Sequence, residues 1–341
     1  MDWFDRVPKV ELHLHLEGAI PYDALWALVQ KYGGHPDVST LDDLKDKFVF
    51  RDFPHFIDTW LWKSQFLREY EDFTFIAEAF ARSLEEQNIR YAEVHYVPGE
   101  HAIKGHSIAR YPKRLNESRI TEALRKGLDQ VPGVKVALIL DICRDIDPEE
   151  SVDTLNQARD LKELGLVGIG LGGSEQSFPP ALFSSLFMQA REWGFNTTAH
   201  AGEAAGPSSI WSALNDLGVK RIGHGTQAIH DLELIDFLWK NNIVLEMCPL
   251  SNLRTNVVSD LRLHPIRRFF DYDLFVTVNT DDPFMFNNTL AEEFRTLAEF
   301  HNFNTQEIQQ LILNGIDGSW LELEDKERLK SDFESAPDWN D

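Results

Sequence analysis

Val10-Glu11-Leu12-His13-Leu14-His15-Leu16 is the stretch on which the reading of this chain turns. Polar and apolar residues alternate along it as in a β-strand, where side chains two apart share a face, so His13 and His15 can converge on one cation. A lone His-x-His pair is more often two unrelated histidines, and its weight here comes from three later signals. Thr198-Ala199-His200-Ala201-Gly202-Glu203 follows a short apolar run and precedes a helical stretch that begins near Ser208. Arg221-Ile222-Gly223-His224-Gly225 sets an imidazole between two glycines, and Val276-Thr277-Val278-Asn279-Thr280-Asp281-Asp282-Pro283 ends a β-branched run in paired carboxylates. Polar groups at strand ends are where parallel α/β folds keep their chemistry.

Short apolar runs recur at Val10 to Leu16, Tyr91 to Val97, Val134 to Asp141, Val167 to Leu171, Phe195 to His200, Arg221 to Gly223, Ile243 to Met247 and Leu274 to Asn279. Between them lie segments with apolar residues at helical spacing, among them Phe73 to Glu86, Ile120 to Leu128, Ser151 to Leu164, Pro180 to Trp193 and Asp231 to Asn241. Eight strands alternating with helices predict an α/β protein, a (β/α)8 TIM-type barrel with a helical insertion after the first strand. With no linker or repeat to divide it, the chain reads as one domain over 1–341, with a helical lid insertion at about 20–86 and an acidic tail at about 324–341. The insertion concentrates Phe53, Phe56, Trp60, Trp62, Phe66 and Phe73, as either a lid over the barrel mouth or an extra buried helix pair.

Acidic residues outnumber basic ones by 56 to 33, a net charge of −23 that repels polyanions and speaks against nucleic acid or anionic membranes as partners. The N-terminus lacks the basic and apolar regions of a secretory signal, and no stretch approaches a membrane span, which points to a cytoplasmic protein. The only cysteines, Cys143 and Cys248, are far apart, which fits a reducing compartment and excludes a cysteine-based zinc site.

The ordered motifs His13-Leu14-His15-Leu16-Glu17-Gly18-Ala19, Gly170-Leu171-Gly172-Gly173-Ser174-Glu175, His200-Ala201-Gly202-Glu203, Gly223-His224-Gly225, Cys248-Pro249-Leu250-Ser251-Asn252 and Asn279-Thr280-Asp281-Asp282-Pro283 resemble the adenosine deaminase family of the amidohydrolase superfamily. The resemblance covers Pro8 to about Trp320. It implies one Zn²⁺ held by His13, His15, His200 and Asp281, a ligand set that suits a borderline cation and leaves a position for water. It further implies that His224 orients that water, that Asp281 accepts its proton, and that Glu203 protonates purine N1. His15, Glu17, Gly173 and Asp282 would face the substrate, with the Gly173 N–H on N3 and Asp282 on N7. No lysine stands at the end of the fourth strand to bridge two metals, so a single metal is expected. His95 is left outside the metal set, and His55, His101 and His106 read as solvated loop residues.

The reaction implied is hydrolytic deamination of a 6-aminopurine nucleoside, adenosine or a 5′-modified analogue. Adenosine deaminases usually show Asp where this chain has Glu17, and acidic residues where it has Gly170 and Ser174. Relatives specific for adenine usually carry Asp in place of Gly223 and Ser in place of Thr280, which favours the nucleoside here. The glycine-rich motif and His200-Ala201-Gly202-Glu203-Ala204-Ala205-Gly206-Pro207 also resemble the branch acting on 6-aminodeoxyfutalosine, whose carboxylate needs a basic partner such as Arg144 or Arg254. Adenine itself, and a catalytically inactive metal-binding barrel, complete the alternatives.

Overall fold

Every residue of the first strand is buried, as expected of a parallel strand covered on both faces. The computed structural model describes residues 2–50, 53–102 and 115–340. Its strands are β1 (Lys9–His15), β2 (Ile89–Tyr96), β3 (Lys135–Cys143), β4 (Leu166–Gly172), β5 (Asn196–Ala201), β6 (Arg221–His224), β7 (Val244–Met247) and β8 (Val276–Val278). Each pairs in parallel with the next, in the sheet order β1 to β8. The eight predicted runs are these eight strands, and the fold is the (β/α)8 barrel.

Period-two alternation decides what each face of β1 meets. Val10 and Leu12 approach the helix Thr305–Gly318 on the outside, while His13 and His15 point into the barrel. The barrel interior is polar. Arg221 donates to Glu246, to Glu93 and, at 2.9 Å, to the Leu12 carbonyl, with the Trp320 ring 3.9 Å from its guanidinium. These groups are buried and mutually satisfied, which is the condition for charge in a low-dielectric interior.

β8 is short because the chain turns at its end to build the site. The ring closes through a bridge between Leu14 and Asp281, with the His15 N–H on the Asp281 carbonyl at 2.8 Å and the Asp281 N–H on the His13 carbonyl at 3.1 Å. Just below, Asn279 Oδ1 accepts the N–H of Leu12 at 2.8 Å and of His13 at 3.2 Å, replacing the ladder that β8 no longer supplies.

The insertion after β1 forms the helices Tyr22–Lys31, Leu41–Asp46, Phe53–Ser64 and Tyr70–Glu86. Its aromatics divide between two tasks. Phe66 and Phe73 are buried in the core, whereas Phe56 and Trp60 turn to the cavity at the barrel mouth, Phe56 stacked on Phe286. The Phe53 side chain and His106 lie outside the described residues. The acidic segment expected as a tail folds back as the helix Leu323–Glu334 and the turn Pro337–Asn340, anchored by buried Phe333 and Trp339. Among the described residues, no helix is long and apolar enough to cross a membrane.

Replacing Asn279 with Leu should cost about 2 kcal/mol, because two buried amides lose their acceptor. Chemical denaturation is the measurement, and an unchanged midpoint would rule out this closure as a stabilising contact.

Candidate active site

The ends of β1, β5, β6 and β8 bring His13, His15, His200, His224 and Asp281 together, as the motifs predict. His15 Nε2 lies 3.1 Å from His200 Nε2 and 3.3 Å from Asp281 Oδ1, and His13 Nε2 lies 3.6 Å from the same oxygen. Donor atoms about 2.0–2.1 Å from a tetrahedral cation sit about 3.3 Å from one another, so the spacing fits a metal ion. His13 Nε2 is buried with no hydrogen-bond partner.

What lies behind each imidazole fixes its tautomer. His13 Nδ1 meets Glu246 Oε2 at 2.7 Å, and His200 Nδ1 meets the Leu171 carbonyl at 3.0 Å. His15 Nδ1 faces Asp141 Oδ2 at 3.6 Å. All three acceptors favour hydrogen on Nδ1, which leaves the Nε2 lone pairs for a cation. Burial favours the acid form of Glu246, but the Arg221 guanidinium outweighs it and holds the pKa at about 2. Burial also opposes charge on His13 and His15, yet Asp281 and the other carboxylates around them raise these pKa values to about 10 and about 9. These carboxylates give the pocket a demand for positive charge.

Asp281 is held by more than its neighbours in sequence. Ser251 donates to its Oδ2 at 2.6 Å, and both Asp281 and His224 have left-handed backbones, with φ of 68° and 62°. Such conformations in residues with side chains concentrate at functional sites. Next to Asp281, burial and then the Asp281 charge push Asp282 up to about 7, within reach of carrying a proton. Glu203 Oε2 lies 3.6 Å from His224 Nε2, and burial followed by Asp281 and Glu175 pushes Glu203 up to about 8. The loop that carries it is gathered by one carboxylate: Glu175 accepts the N–H groups of Gly202, Glu203, Ala204 and Ala205 at 2.6 to 3.2 Å.

These groups open on a cavity of about 350 Å³, walled by Phe56, Trp60 and Phe286 and edged by Glu100, Asp145 and Ser174. Gly173 lines it with φ of 101°, and a Cβ there would stand 2.6 Å from Asp145 Oδ2. Glu17 does not line it. One of its oxygens takes the Val97 N–H at 3.0 Å. Arg144 is no partner for a substrate carboxylate either, being fully buried and donating to the carbonyls of Phe178 and His200. His101, expected in solvent, is buried against the Phe73 ring, while His55 is half-buried.

Sequence reasoning missed Glu246 and Asp141, which hold the site from behind, and gave no role there to His95, Ser251 or Asn252, the last two of which lie in a quoted motif. His95 Nδ1 bonds Asp141 Oδ1 at 2.7 Å, with the His95 ring 4.9 Å from His13 and 5.1 Å from His15. The signal was the bare Gly170. A Cβ there would fall 1.8 Å from Asp141 Oδ1, so a carboxylate from β3 fills space that an acidic residue on β4 would claim. Likewise Asp145 receives the Ser174 hydroxyl at 2.5 Å, restoring acidity near the second departure.

A parallel barrel whose strand ends hold three imidazoles and a carboxylate is the architecture of a metal-dependent amidohydrolase. The adenosine deaminase family model matches residues 8–336, and the chain belongs to that family, whose members are hydrolases acting on C–N bonds of cyclic amidines. It is similar to a protein named adenine deaminase from Crocosphaera subtropica, 34% identical over 325 residues, covering 95% of this chain and 98% of the relative. Another protein of that name, from Ectopseudomonas mendocina, is 34% identical over 316 residues, covering 93% and 98%. Among solved structures, adenine deaminase from Arthrobacter aurescens has a TM-score of 0.88 at 29% identity, covering 96% of this chain and 98% of that one. A Burkholderia ambifaria amidohydrolase with bound zinc has a TM-score of 0.86 at 27% identity, covering 99% and 92%.

Two measurements follow from this geometry. Adding zinc to metal-free protein at pH 7 should release protons, because the carboxylates around His13 and His15 raise both pKa values when no cation opposes them. A pH indicator in weak buffer reads this, and release near zero would contradict the charge demand described above. Glu175→Gln should loosen the Glu203 loop and cost about 2 kcal/mol in stability, since charge-assisted bonds to four amides weaken together. Hydrogen exchange at Gly202 to Ala205 is the local check.

Proposed function

We propose that the protein hydrolyses adenine to hypoxanthine and ammonia, using one zinc ion held by His13, His15, His200 and Asp281. The observation that carries the free base is kinship over nearly the whole chain with proteins named adenine deaminase. This reading replaces the nucleoside expected from Gly223 and Thr280. It is supported by Glu17, the residue that would receive a ribose 5′ end, which lies outside the cavity lining with one oxygen on the Val97 amide. The engagement of Arg144 with two carbonyls also disfavours a substrate with an anionic 5′ extension.

When bound, zinc would supply a Lewis-acidic centre that makes water nucleophilic at neutral pH. Around it, this chain's residues divide the proton traffic. Asp282 and the Gly173 N–H hold N7 and N3, presenting C6 to the attacking oxygen. Glu203, protonated at neutral pH, gives its proton to N1 as the C–O bond forms, which relieves the cost of breaking ring aromaticity. His224 steadies the attacking oxygen through Nε2–H, and Asp281 accepts the water proton. Asp281 passes that proton on to the amino group, the C6–N bond breaks to release ammonia, and the C6 hydroxyl returns its proton to Glu203, leaving the 6-oxopurine.

A second reading, deamination of adenosine or 2′-deoxyadenosine, is favoured by one contact. A Cβ at Gly223 would stand 2.6 Å from His13 Cε1, so the Asp usual at this position in adenine-specific relatives has no room here. Ammonia release from zinc-loaded protein offered adenine, adenosine, 2′-deoxyadenosine and 6-aminodeoxyfutalosine separates the readings by kcat/KM. Adenine should lead by at least about 10²-fold, the scale of discrimination that missing contacts to the sugar produce. A nucleoside in first place would restore the earlier expectation, and no turnover of any would favour the inactive metal-binding barrel.

The proton donor works only while protonated, so activity should persist below Glu203's pKa and fall as pH rises above about 8. Glu203→Gln should lower kcat by at least about 10²-fold with zinc retained. His200→Ala should release the metal, and full occupancy there would overturn the ligand assignment.

A further inference from the structure

We propose that His264 and Asn252 are positioning residues that fix the tautomer of His224, through a hydrogen-bond relay whose polarity is set by a single backbone amide. The inference rests on the role given to His224 above and adds how that role is enforced. The relay begins at Ile266, whose N–H can only donate, and which lies 3.3 Å from His264 Nδ1. His264 is buried, and burial pushes its pKa down to about 3, so its ring is neutral and carries one hydrogen. With Nδ1 accepting, that hydrogen is on Nε2, 3.1 Å from Asn252 Oδ1. The Asn252 carbonyl is thereby committed as acceptor. Its NH2 group stands 3.0 Å from His224 Nδ1 and donates to it.

His224 is also buried, with Asn252 donating to its Nδ1. Its Nδ1 lone pair is occupied, so its one hydrogen is on Nε2, which faces Glu203 Oε2 at 3.6 Å and Asp281 Oδ2 at 4.0 Å. This is the reverse of the arrangement at His13 and His200, where acceptors behind the ring place hydrogen on Nδ1 and free Nε2. The distinction matters because His224 has a nitrogen within 4.8 Å of ligand atoms on His13, His200 and Asp281. Distance alone does not keep it from the metal. The relay does, by giving the site an N–H donor where a reversed tautomer would offer a competing lone pair. Asn252 sits beside Ser251 on the short helix Pro249–Arg254, so one turn of chain orients both Asp281 and His224.

The test begins with the intact zinc-loaded protein labelled with 15N-histidine. Long-range proton–nitrogen correlation should show His224 with a pyridine-type Nδ1 and a protonated Nε2, the peaks assigned by their loss in His224→Gln. A protonated Nδ1 with a bare Nε2 would overturn the proposal without recourse to any rate. Asn252→Asp replaces the donor with an acceptor and should reverse the His224 tautomer, lowering kcat at least about 10²-fold with KM within a few-fold and zinc content unchanged. Retained kcat in a correctly folded Asn252→Asp would also overturn it. His264→Gln keeps a donor to Asn252 and should preserve most activity, whereas His264→Leu should lose it. Equal losses in both would mean packing alone. If His224→Gln itself keeps the full rate, the catalytic reading of His224 fails, while the tautomer measurement still judges the relay.

Discussion

The bridge between Leu14 and Asp281 closes the barrel at the point where the metal-binding side chains converge, so closure and site assembly are one event. The backbone of Asp281 joins the carbonyl of His13 and the amide of His15, while its carboxylate meets the rings of those same residues. Any slip of β8 against β1 would break the ring and scatter the ligands together. Asn279 and its two amides make such a slip costly, and the polar interior above Arg221 is thereby held at one fixed height.

Electrostatics follow from that closure. The barrel concentrates carboxylates from β3, β7 and β8 around imidazoles from β1, β2 and β5, and burial makes each unmatched charge expensive. Arg221 keeps Glu246 ionised from below, Glu246 orients His13, and the demand for a cation is passed up to the mouth. Glu203 and Asp282, which bind no arginine among the described residues, drift toward the protonated state instead. Two populations of carboxylate therefore arise from position, within one barrel.

How much of this was legible in the sequence depended on whether the signal was local. Strand periodicity revealed all eight strands, and His13, His15, His200, His224 and Asp281 announced themselves through spacing and adjacent glycines. Glu246, Asn252 and His264 lie on elements whose partners come from elsewhere in the barrel, and a hydrogen bond across sequence leaves no periodic mark. Nor could the sequence show that Glu17 turns to the Val97 amide, or that Arg144 spends its guanidinium on two carbonyls, because both residues look like ordinary charged groups until their neighbours are known.

Gly170 and Asp141 carry a consequence for how this chain relates to family members with an acidic residue on the fourth strand. The two carboxylates compete for one volume, since even a Cβ at position 170 would fall 1.8 Å from Asp141 Oδ1. Restoring the acid on β4 first would crowd two negative charges together; removing Asp141 first would strip His95 of its partner and take away the carboxylate that His15 Nδ1 faces. Each single step is therefore costly, and the two positions constrain each other: an acid at position 170 on β4 and Asp141 on β3 exclude one another.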